Sequence, residues 1–296
     1  MRLYFQVKSH QSGIQLSDFL RGQEVSVGLM KQVKYTPTGI LVDGVRTNTN
    51  QLVYEGQNVE FLLPQEDGDV APQPMLLDVV AETEHFVLLN KPAGMVVHPT
   101  FNYATDTLAN GWIGTLAARG QTGVFRPVNR IDKDTSGLVL CAKNCYAAPI
   151  LADRVQKIYL AIAVGEMPLG KGEINLPIAR CDGSLIKREI SPEGQPSITQ
   201  YEVLAAAQGY SVLRLHLITG RTHQIRVHLA ALGHPLAGDW LYGTEEDSIM
   251  NRQALHCFGM KIPAFLQQKE TWFFTPPPAD MQMLYQKICQ KKSGYT

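Results

Sequence analysis

The chain has 296 residues, with 27 lysines and arginines against 27 aspartates and glutamates, and 45% of its residues are hydrophobic. This composition supports a large folded core and excludes a disordered protein, a collagen-like protein and a simple polycationic nucleic-acid coat. No apolar stretch approaches the roughly 18 residues of a membrane span, and the first residues lack the apolar block of a secretion signal, so we expect a cytoplasmic protein that has no membrane partner.

A proline-rich segment divides the chain into a small and a large part. Residues Pro64–Pro74 (PQEDGDVAPQP) contain three prolines, three acidic residues and a glycine without apolar periodicity, a composition typical of a linker. We therefore predict a small module over 1–63, a linker over 64–74 and a large domain over 75–296.

The small module contains signals for both helices and strands. A short helix is predicted over Leu16–Leu20, strands over Ile40–Val42 and Val59–Leu63, and a hairpin turn at Asp43-Gly44. The module is thus predicted to be α+β.

The large domain alternates short apolar runs with helical patterns. Strands are predicted at His85–Leu89, Leu138–Ala142, Tyr159–Val164 and Val212–Leu217. Helices are predicted at Thr107–Arg119, closed by Gly120; at Thr222–Leu232, capped by Thr222 and ended by Gly233; and at Asp280–Lys291, with lysines near its end. We predict an α+β fold with a sheet core.

One cluster of chemically useful side chains precedes a predicted core strand. Residues Arg130–Gly137 (RIDKDTSG) place two carboxylates and two hydroxyls in a turn, and loop residues mounted on a rigid strand commonly carry function. The neighbouring Arg130 and Lys133 favour the ionised form of Asp132. An alternative role for Asp132 is to cap the turn with its side chain.

A second cluster, Thr219–His228 (TGRTHQIRVH), opens a predicted helix. His223 and Arg226 are three residues apart and share a face. An arginine that leans toward the core needs an anionic partner, which a loop aspartate elsewhere in the chain can supply. The alternative is a solvated basic helix face that binds phosphate or nothing.

Fingerprints of metal and cofactor sites are absent from the sequence. Four histidines (His216, His223, His228 and His234) lack an H-E-x-x-H partner, and no P-loop, G-x-G-x-x-G or G-x-S-x-G pattern occurs. Five cysteines without a C-x-x-C pair indicate reduced thiols, and Cys141 lies in an apolar run typical of a core residue. We expect neither a metal nor a cofactor.

Five segments, in order, closely resemble the motifs of the RluA-type pseudouridine synthases. They are KPAGMVVHP (Lys91–Pro99), RIDKDTSGLVL (Arg130–Leu140), RVQKIYLAIAVG (Arg154–Gly165), TGRTHQIRVHLAALGHPLAGDWLYG (Thr219–Gly243) and RQALHC (Arg252–Cys257). The resemblance implies the pseudouridine synthase fold, with a mixed, mainly antiparallel sheet. The small module resembles the S4-like RNA-binding domain through Val53, Gly56 and Val59; the alternative is a small cap that makes no RNA contact.

The resemblance also implies roles for individual residues. Asp132 corresponds to the family's essential aspartate, Arg226 to the arginine that pairs with it, and Tyr159 to the tyrosine that stacks on the target base. Leu255 corresponds to the aliphatic residue packed against the site, and Arg130 to the arginine that helps to evict the base.

Further substrate contacts are implied for the residues that open the second cluster. Arg221, Thr222, His223 and Gln224 lie beside the site in this motif, and phosphate contacts are expected from Arg221, Arg188 and Lys187. Two positions depart from the family pattern: Asn129 stands where the family usually has His, and Gln195 stands where it often has Lys. The amide of Asn129 can still position the backbone, whereas the Gln195 change weakens one RNA contact.

The implied activity is the isomerisation of a specific uridine to pseudouridine in structured RNA. Ribosomal RNA is the expected substrate and transfer RNA the alternative, with a monomeric enzyme that needs no cofactor. Two rival functions stay open at this point: an inactive relative that only binds RNA, and a hydrolase that uses Asp132 with a nearby histidine.

Overall fold

The computed structural model describes residues 1–66, 68–243, 250–266 and 268–289. The part before the proline-rich segment is built from short elements. They are β1 (Arg2–Gln6), a 3-10 helix (Ser9–Gln11), β2 (Ile14–Gln15), α1 (Leu16–Gly22), α2 (Val27–Val33), β3 (Ile40–Val42), β4 (Val45–Arg46), β5 (Leu52–Val53) and β6 (Asn58–Leu62).

Strands β1, β6, β3 and β4 form an antiparallel sheet in that order. Phe5, Val59 and Phe61 on this sheet are buried together with Phe19 and Leu20 of α1. The helix predicted from Leu16 and the strand predicted at Ile40–Val42 are confirmed. Since alternate residues of the strands are apolar, one face of the sheet packs against the helices.

The N-terminal part contacts the rest of the chain. The Tyr146 hydroxyl donates a hydrogen bond of 2.9 Å to the Gln23 carbonyl, and the Phe5 ring packs edge-on against Tyr146 at 6.5 Å. Arg154 forms an ion pair with Glu24. These contacts combine a buried aromatic pair with polar bonds at its margin.

The second part holds a larger set of strands and helices. They are β7 (Asp78–Glu82), β8 (Phe86–Lys91), α3 (Leu108–Ala118), β9 (Arg126–Pro127), β10 (Ser136–Ala142), α4 (Ala147–Arg154), β11 (Gln156–Val164), β12 (Gly170–Asn175), β13 (Ile178–Arg180), β14 (Arg188–Ile190), β15 (Ile198–Ala207), β16 (Tyr210–Leu217), α5 (Gln224–Ala231), β17 (Leu255–Ile262), β18 (Thr271–Phe274) and α6 (Ala279–Cys289).

A ten-stranded sheet follows the order β12-β15-β16-β11-β17-β10-β8-β7, with β18 beside β17 and β9 beside β10. The pair β10–β17 is parallel, and the other pairs between the described strands of this sheet are antiparallel. The predicted α+β class with a mixed, mainly antiparallel sheet is therefore confirmed. Strand β10 is buried along its whole length. None of the described helices is long and apolar enough to cross a membrane.

The predicted linker packs against α3. The backbone amide of Gln73 donates a hydrogen bond of 3.1 Å to the backbone carbonyl of Asn110. The side-chain amide of Asn110 donates one of 2.9 Å to the backbone carbonyl of Ala71. A side chain at Gly114 would lie 2.0 Å from the Gln73 carbonyl oxygen. The described part of segment 64–74 thus covers a helix face, with Gly114 allowing its close approach.

The start of α5 differs from its prediction. The helix begins at Gln224 rather than at Thr222, and the preceding residue, His223, adopts the left-handed conformation with φ 57°. The Gln224 side-chain oxygen accepts hydrogen bonds from the Thr219 hydroxyl at 2.9 Å and the Arg221 amide at 3.0 Å. This side chain ties the turn to the helix, so the predicted Thr222 cap is wrong.

The other two predicted helices are present. Helix α3 is preceded by Thr107, whose side chain accepts a hydrogen bond from the Asn110 amide, and Gly120 follows it with a positive φ. Helix α6 is described as far as Cys289, so the predicted end at Lys291 lies outside the described residues.

Candidate active site

Asp132 lies in the loop between β9 and β10, and a buried lysine holds that loop. The Lys91 ammonium group donates hydrogen bonds to the carbonyls of Pro92 at 2.8 Å, Met95 at 2.7 Å and Lys133 at 2.8 Å. Burial lowers the pKa of Lys91 to about 7. Because three carbonyls accept its three protons, the ammonium form fixes the backbone directly after Asp132.

A second cation holds the next carbonyl of the loop. Arg252 donates to the Asp134 carbonyl at 3.0 Å and forms a two-point ion pair with Asp280 at 2.7 and 2.9 Å. This arginine connects the start of α6 with the loop. The position of Asp132 is therefore set by groups buried beneath the loop.

Arg226 on α5 joins two carboxylates. Its Nη1 lies 3.0 Å from Oδ2 of Asp132, while its Nε and Nη2 contact the two oxygens of Asp239 at 2.7 and 2.8 Å. The Asp239 side chain is fully buried, whereas that of Asp132 is 26% exposed. Burial opposes the charge on Arg226, but its bonds to Asp239 and the charges of both carboxylates raise its pKa. The guanidinium therefore stays charged and presents one N–H group to Asp132.

His223 faces the same oxygen of Asp132 as Arg226 does. Its Nε2 lies 3.8 Å from Oδ2 of Asp132, and its Nδ1 lies 2.9 Å from the Tyr242 hydroxyl. Burial lowers the pKa of His223, against the opposing effect of Asp132. The guanidinium carbon of Arg226 lies 5.1 Å from the centre of the Tyr242 ring. An imidazole and a guanidinium thus both face one oxygen of the carboxylate.

Asp132, His223 and Arg226 line one open pocket. Tyr159 on β11 and Leu255 on β17 come from adjacent antiparallel strands and form apolar parts of its wall. Burial raises the pKa of Tyr159 well above its ordinary value, and its hydroxyl has a side-chain hydrogen bond with Cys257. The pocket therefore combines a carboxylate with an aromatic ring and an aliphatic side chain, which suits a polar ligand with a flat ring.

Two arginines lie at the mouth of the pocket. Arg130 and Arg221 both line it and are exposed. Arg221 donates a hydrogen bond of 3.3 Å to the Pro196 carbonyl, and within the described residues Arg130 has no ion-pair partner. The strand β14 brings Arg188 close as well, since its amide donates to the Tyr242 hydroxyl at 2.8 Å. This cationic rim can contact phosphates.

Two of the substrate contacts expected from the sequence have other surroundings. Thr222 is exposed and is not among the residues that line the pocket. Gln224 borders the pocket, but its amide nitrogen donates to Ile198 and Thr199 while its oxygen accepts two hydrogen bonds within the turn. All four hydrogen bonds of this amide are made within the protein, so it stabilises the turn.

Comparisons with known proteins identify the family to which the chain belongs. The sequence profile of the RNA pseudouridylate synthase family matches residues 85–231. The chain is 40% identical over 243 residues to the uncharacterized RNA pseudouridine synthase YhcT of Bacillus subtilis, covering 79% of this chain and 80% of the relative. It is 38% identical over 267 residues to ribosomal large subunit pseudouridine synthase D of Xylella fastidiosa, covering 83% and 80%.

The chain belongs to the RNA pseudouridylate synthase family. A solved structure of human RNA pseudouridylate synthase domain containing 1 has a TM-score of 0.57 and 28% identity, covering 72% of this chain and 86% of that one. The fold, the family and the named relatives agree with the RluA-type resemblance seen in the sequence. This protein is therefore an RNA pseudouridine synthase, an isomerase that acts on RNA.

Asn129, which stands where the RluA-type resemblance implies His, holds the backbone of this pseudouridine synthase before Asp132. The buried Asn129 amide donates to the Leu138 carbonyl at 3.1 Å, and its oxygen accepts from the Leu140 amide at 2.8 Å. These bonds tie the segment before Asp132 to β10. The second departure, Gln195, is exposed, and its backbone pairs with Ile178.

Sequence reasoning missed several residues that build the pseudouridine synthase pocket. Asp239 and Tyr242 lie in the quoted segment GDWLYG, and Lys91 and Arg252 open two other quoted motifs, yet no role was derived for any of them. The one available signal was the presence of charged residues inside apolar motifs, because a buried charge requires a partner.

We predict that Lys91→Met destabilises this synthase by about 1–3 kcal/mol, since three carbonyls lose their shared donor. Urea unfolding should show a lower midpoint, and turnover should fall as the Asp132 loop loses its support. Lys269→Met removes an exposed lysine and serves as the control. An unchanged midpoint for Lys91→Met would show that this ammonium group does not stabilise the loop.

Proposed function

We propose that this synthase isomerises one specific uridine in structured RNA, with ribosomal RNA as its substrate class and Asp132 as its essential carboxylate. One observation carries the proposal: Asp132, Arg226, Tyr159 and Leu255 line the same pocket. The name of the Xylella relative, a ribosomal large subunit enzyme, favours ribosomal RNA over transfer RNA. The chain is proposed to act as a monomer in the cytoplasm.

The reaction requires an ionised carboxylate beside the nucleoside. The bond from uracil N1 to ribose C1′ breaks, the base turns, and a bond from C5 to C1′ forms. The hydrogen on C5 then leaves as a proton, and N1 gains a proton. This resembles glycoside cleavage, in which a carboxylate supports or attacks an electron-poor sugar centre. Asp132 is suited to this task because the Arg226 N–H group at 3.0 Å stabilises its negative charge. Attack on the sugar, attack on the base and removal of a ribose proton are all compatible with this position.

A uridine inside folded RNA reaches the pocket only if it leaves its stack. Base flipping costs a few kcal/mol, and stacking on an aromatic side chain returns about 1–3 kcal/mol per base. Tyr159 is proposed to receive the base and Leu255 to bound it. Arg130, exposed at the pocket mouth, is proposed to occupy the space that the base leaves.

Positively charged residues around the pocket are proposed to hold the RNA backbone. Arg221, Lys187 and Arg188 would contact phosphates, which fix the register of the RNA without reading its sequence. His223 is proposed to lie beside the bound nucleoside. Residues 1–63 are proposed to act as an S4-like RNA-binding module, joined through 64–74 to a catalytic domain over 75–296.

The substrate class can be tested with RNA that carries tritium at uracil C5, because pseudouridine formation releases that label. Transcripts of large-subunit ribosomal RNA and a pool of transfer RNA are incubated separately with the protein. Release from the ribosomal transcript alone is expected. Release from transfer RNA alone would show that transfer RNA is the substrate class, and it would still demonstrate pseudouridine formation.

A substitution at Tyr159 tests the stacking role. Tyr159→Leu keeps an apolar side chain but removes the flat ring, so the single-turnover rate should fall about 5- to 150-fold, the equivalent of one stacked base. The Kd for RNA should change by less than about 3-fold, because phosphate contacts dominate binding. Filter binding and quenched-flow measurements separate the two effects. A Kd that weakens as much as the rate falls would contradict the stacking role.

A further inference from the structure

Tyr242 lies three residues after the buried Asp239 and connects two parts of the site. Its hydroxyl accepts a hydrogen bond from the Arg188 backbone amide at 2.8 Å and lies 2.9 Å from Nδ1 of His223. The opposite nitrogen of the same imidazole, Nε2, lies 3.8 Å from Oδ2 of Asp132. Two hydrogen bonds therefore link strand β14 to the imidazole, and the far nitrogen of that ring faces the carboxylate at 3.8 Å, beyond hydrogen-bond distance.

The Arg188 amide fixes the direction of one of these hydrogen bonds, whereas the bond between Tyr242 and Nδ1 of His223 can run either way. The Arg188 amide can only donate, so it occupies a lone pair of the Tyr242 hydroxyl, and the hydroxyl proton is free to point at His223. When Nδ1 of a neutral imidazole accepts a hydrogen bond, the ring proton lies on Nε2. This tautomer presents an N–H group, rather than a lone pair, to Asp132.

The surroundings of His223 favour the neutral form of its ring. Burial lowers its pKa, as do the charges of Arg226 and Arg188, while Asp132 and Asp239 act in the opposite direction. The left-handed backbone at His223, with φ 57°, is uncommon for a residue other than glycine. The surrounding structure must therefore hold the backbone of His223 in this conformation.

We propose that Tyr242 is a positioning residue, whose hydroxyl fixes the tautomer of His223 so that the Nε2–H group faces the Asp132 carboxylate. This inference rests on the proposed role of Asp132. With this tautomer, the N–H groups of Arg226, at 3.0 Å, and of His223, at 3.8 Å, both face Oδ2 of Asp132 and favour one orientation of the carboxylate. With the other tautomer, the lone pair of Nε2 faces the carboxylate and repels it.

The first measurement is the tautomer itself. The protein contains eight histidines, and the His223 resonances are assigned in a sample labelled with 15N-histidine by their loss in His223→Ala. In the wild type, Nδ1 is expected to lack a proton and Nε2 to carry one. In Tyr242→Phe, which keeps the ring and removes the hydroxyl, a mixture of both tautomers is expected. A wild-type ring protonated on Nδ1, or an unchanged tautomer in Tyr242→Phe, would overturn the proposal.

The second measurement is kinetic. Tyr242→Phe should lower kcat by about 2- to 13-fold, the rate equivalent of one hydrogen bond, with KM unchanged. Tyr146→Phe is the matched control, because it removes a tyrosine hydroxyl that bonds only the Gln23 carbonyl, remote from the pocket, and it should retain the wild-type kcat. A wild-type kcat for Tyr242→Phe, or a defect confined to KM, would overturn the proposal.

A double-mutant cycle separates positioning from general stability. In a His223→Ala background, Tyr242→Phe should have no further effect on kcat, because the ring that it orients is gone. Additive losses would overturn the proposal, since Tyr242 would then act independently of His223. Asp132→Asn is assayed in the same series. Retained turnover in that variant would overturn the proposed function, whereas an inactive Asp132→Asn beside a fully active Tyr242→Phe would overturn only the present inference.

Discussion

Asp132→Asn should abolish pseudouridine formation and leave the fold intact. The amide has nearly the same size as the carboxylate, and its oxygen can still accept the hydrogen bond from Arg226. It carries no negative charge, however, so it can neither stabilise nor attack the electron-poor sugar, and it cannot take a proton from the ribose. The release of tritium from uracil C5 should fall at least about a thousandfold.

Asp134→Asn provides a control in the same loop. Asp134 lies two residues further along and does not line the pocket, so the same chemical change should leave turnover close to that of the wild type. Thermal unfolding of both variants should match the wild type, because the Asp132 side chain is partly exposed. Comparable tritium release from Asp132→Asn and the wild type would remove Asp132 from the mechanism.

The resemblance to the RluA-type synthases implied the central pair of the site, Asp132 with Arg226. The residues alone indicated only that an arginine leaning toward the core needs an anionic partner, and the loop before β10 offers two aspartates. The structure brings Asp132 and Arg226 to 3.0 Å. The sequence did not predict that Asp239 occupies two other N–H groups of Arg226, because that contact depends on how the chain folds back after α5.

Core strands were likewise more predictable than edge strands. The apolar run at Leu138–Ala142 marked β10, whose residues are all buried. Strand β12, Gly170–Asn175, is largely exposed at the edge of the sheet, and its sequence GKGEIN has no continuous apolar run. The parallel pairing of β10 with β17 joins residues about 120 positions apart, Ser136 with His256, and local patterns contain no information about such contacts.

Arg226→Met should be among the most destabilising single substitutions at the site. The side chain of Asp239 is fully buried and bonds two N–H groups of Arg226. Methionine fills a similar volume but leaves this carboxylate without a cation, which costs about 3–5 kcal/mol. Urea unfolding with linear extrapolation measures the loss. Activity should disappear as well, because Asp132 loses its nearest cation.

A double variant separates the two consequences of that substitution. Arg226→Met combined with Asp239→Asn removes the unpaired buried charge, while the amide oxygen can still accept the Leu241 and Tyr242 backbone hydrogen bonds that Asp239 receives. The double variant should therefore unfold at a higher urea concentration than Arg226→Met alone and remain inactive. Recovery of turnover with stability would mean that Arg226 only neutralises Asp239. Recovery of stability without turnover would mean that the guanidinium has two separate roles: it neutralises Asp239 in the core, and it supports the carboxylate of Asp132.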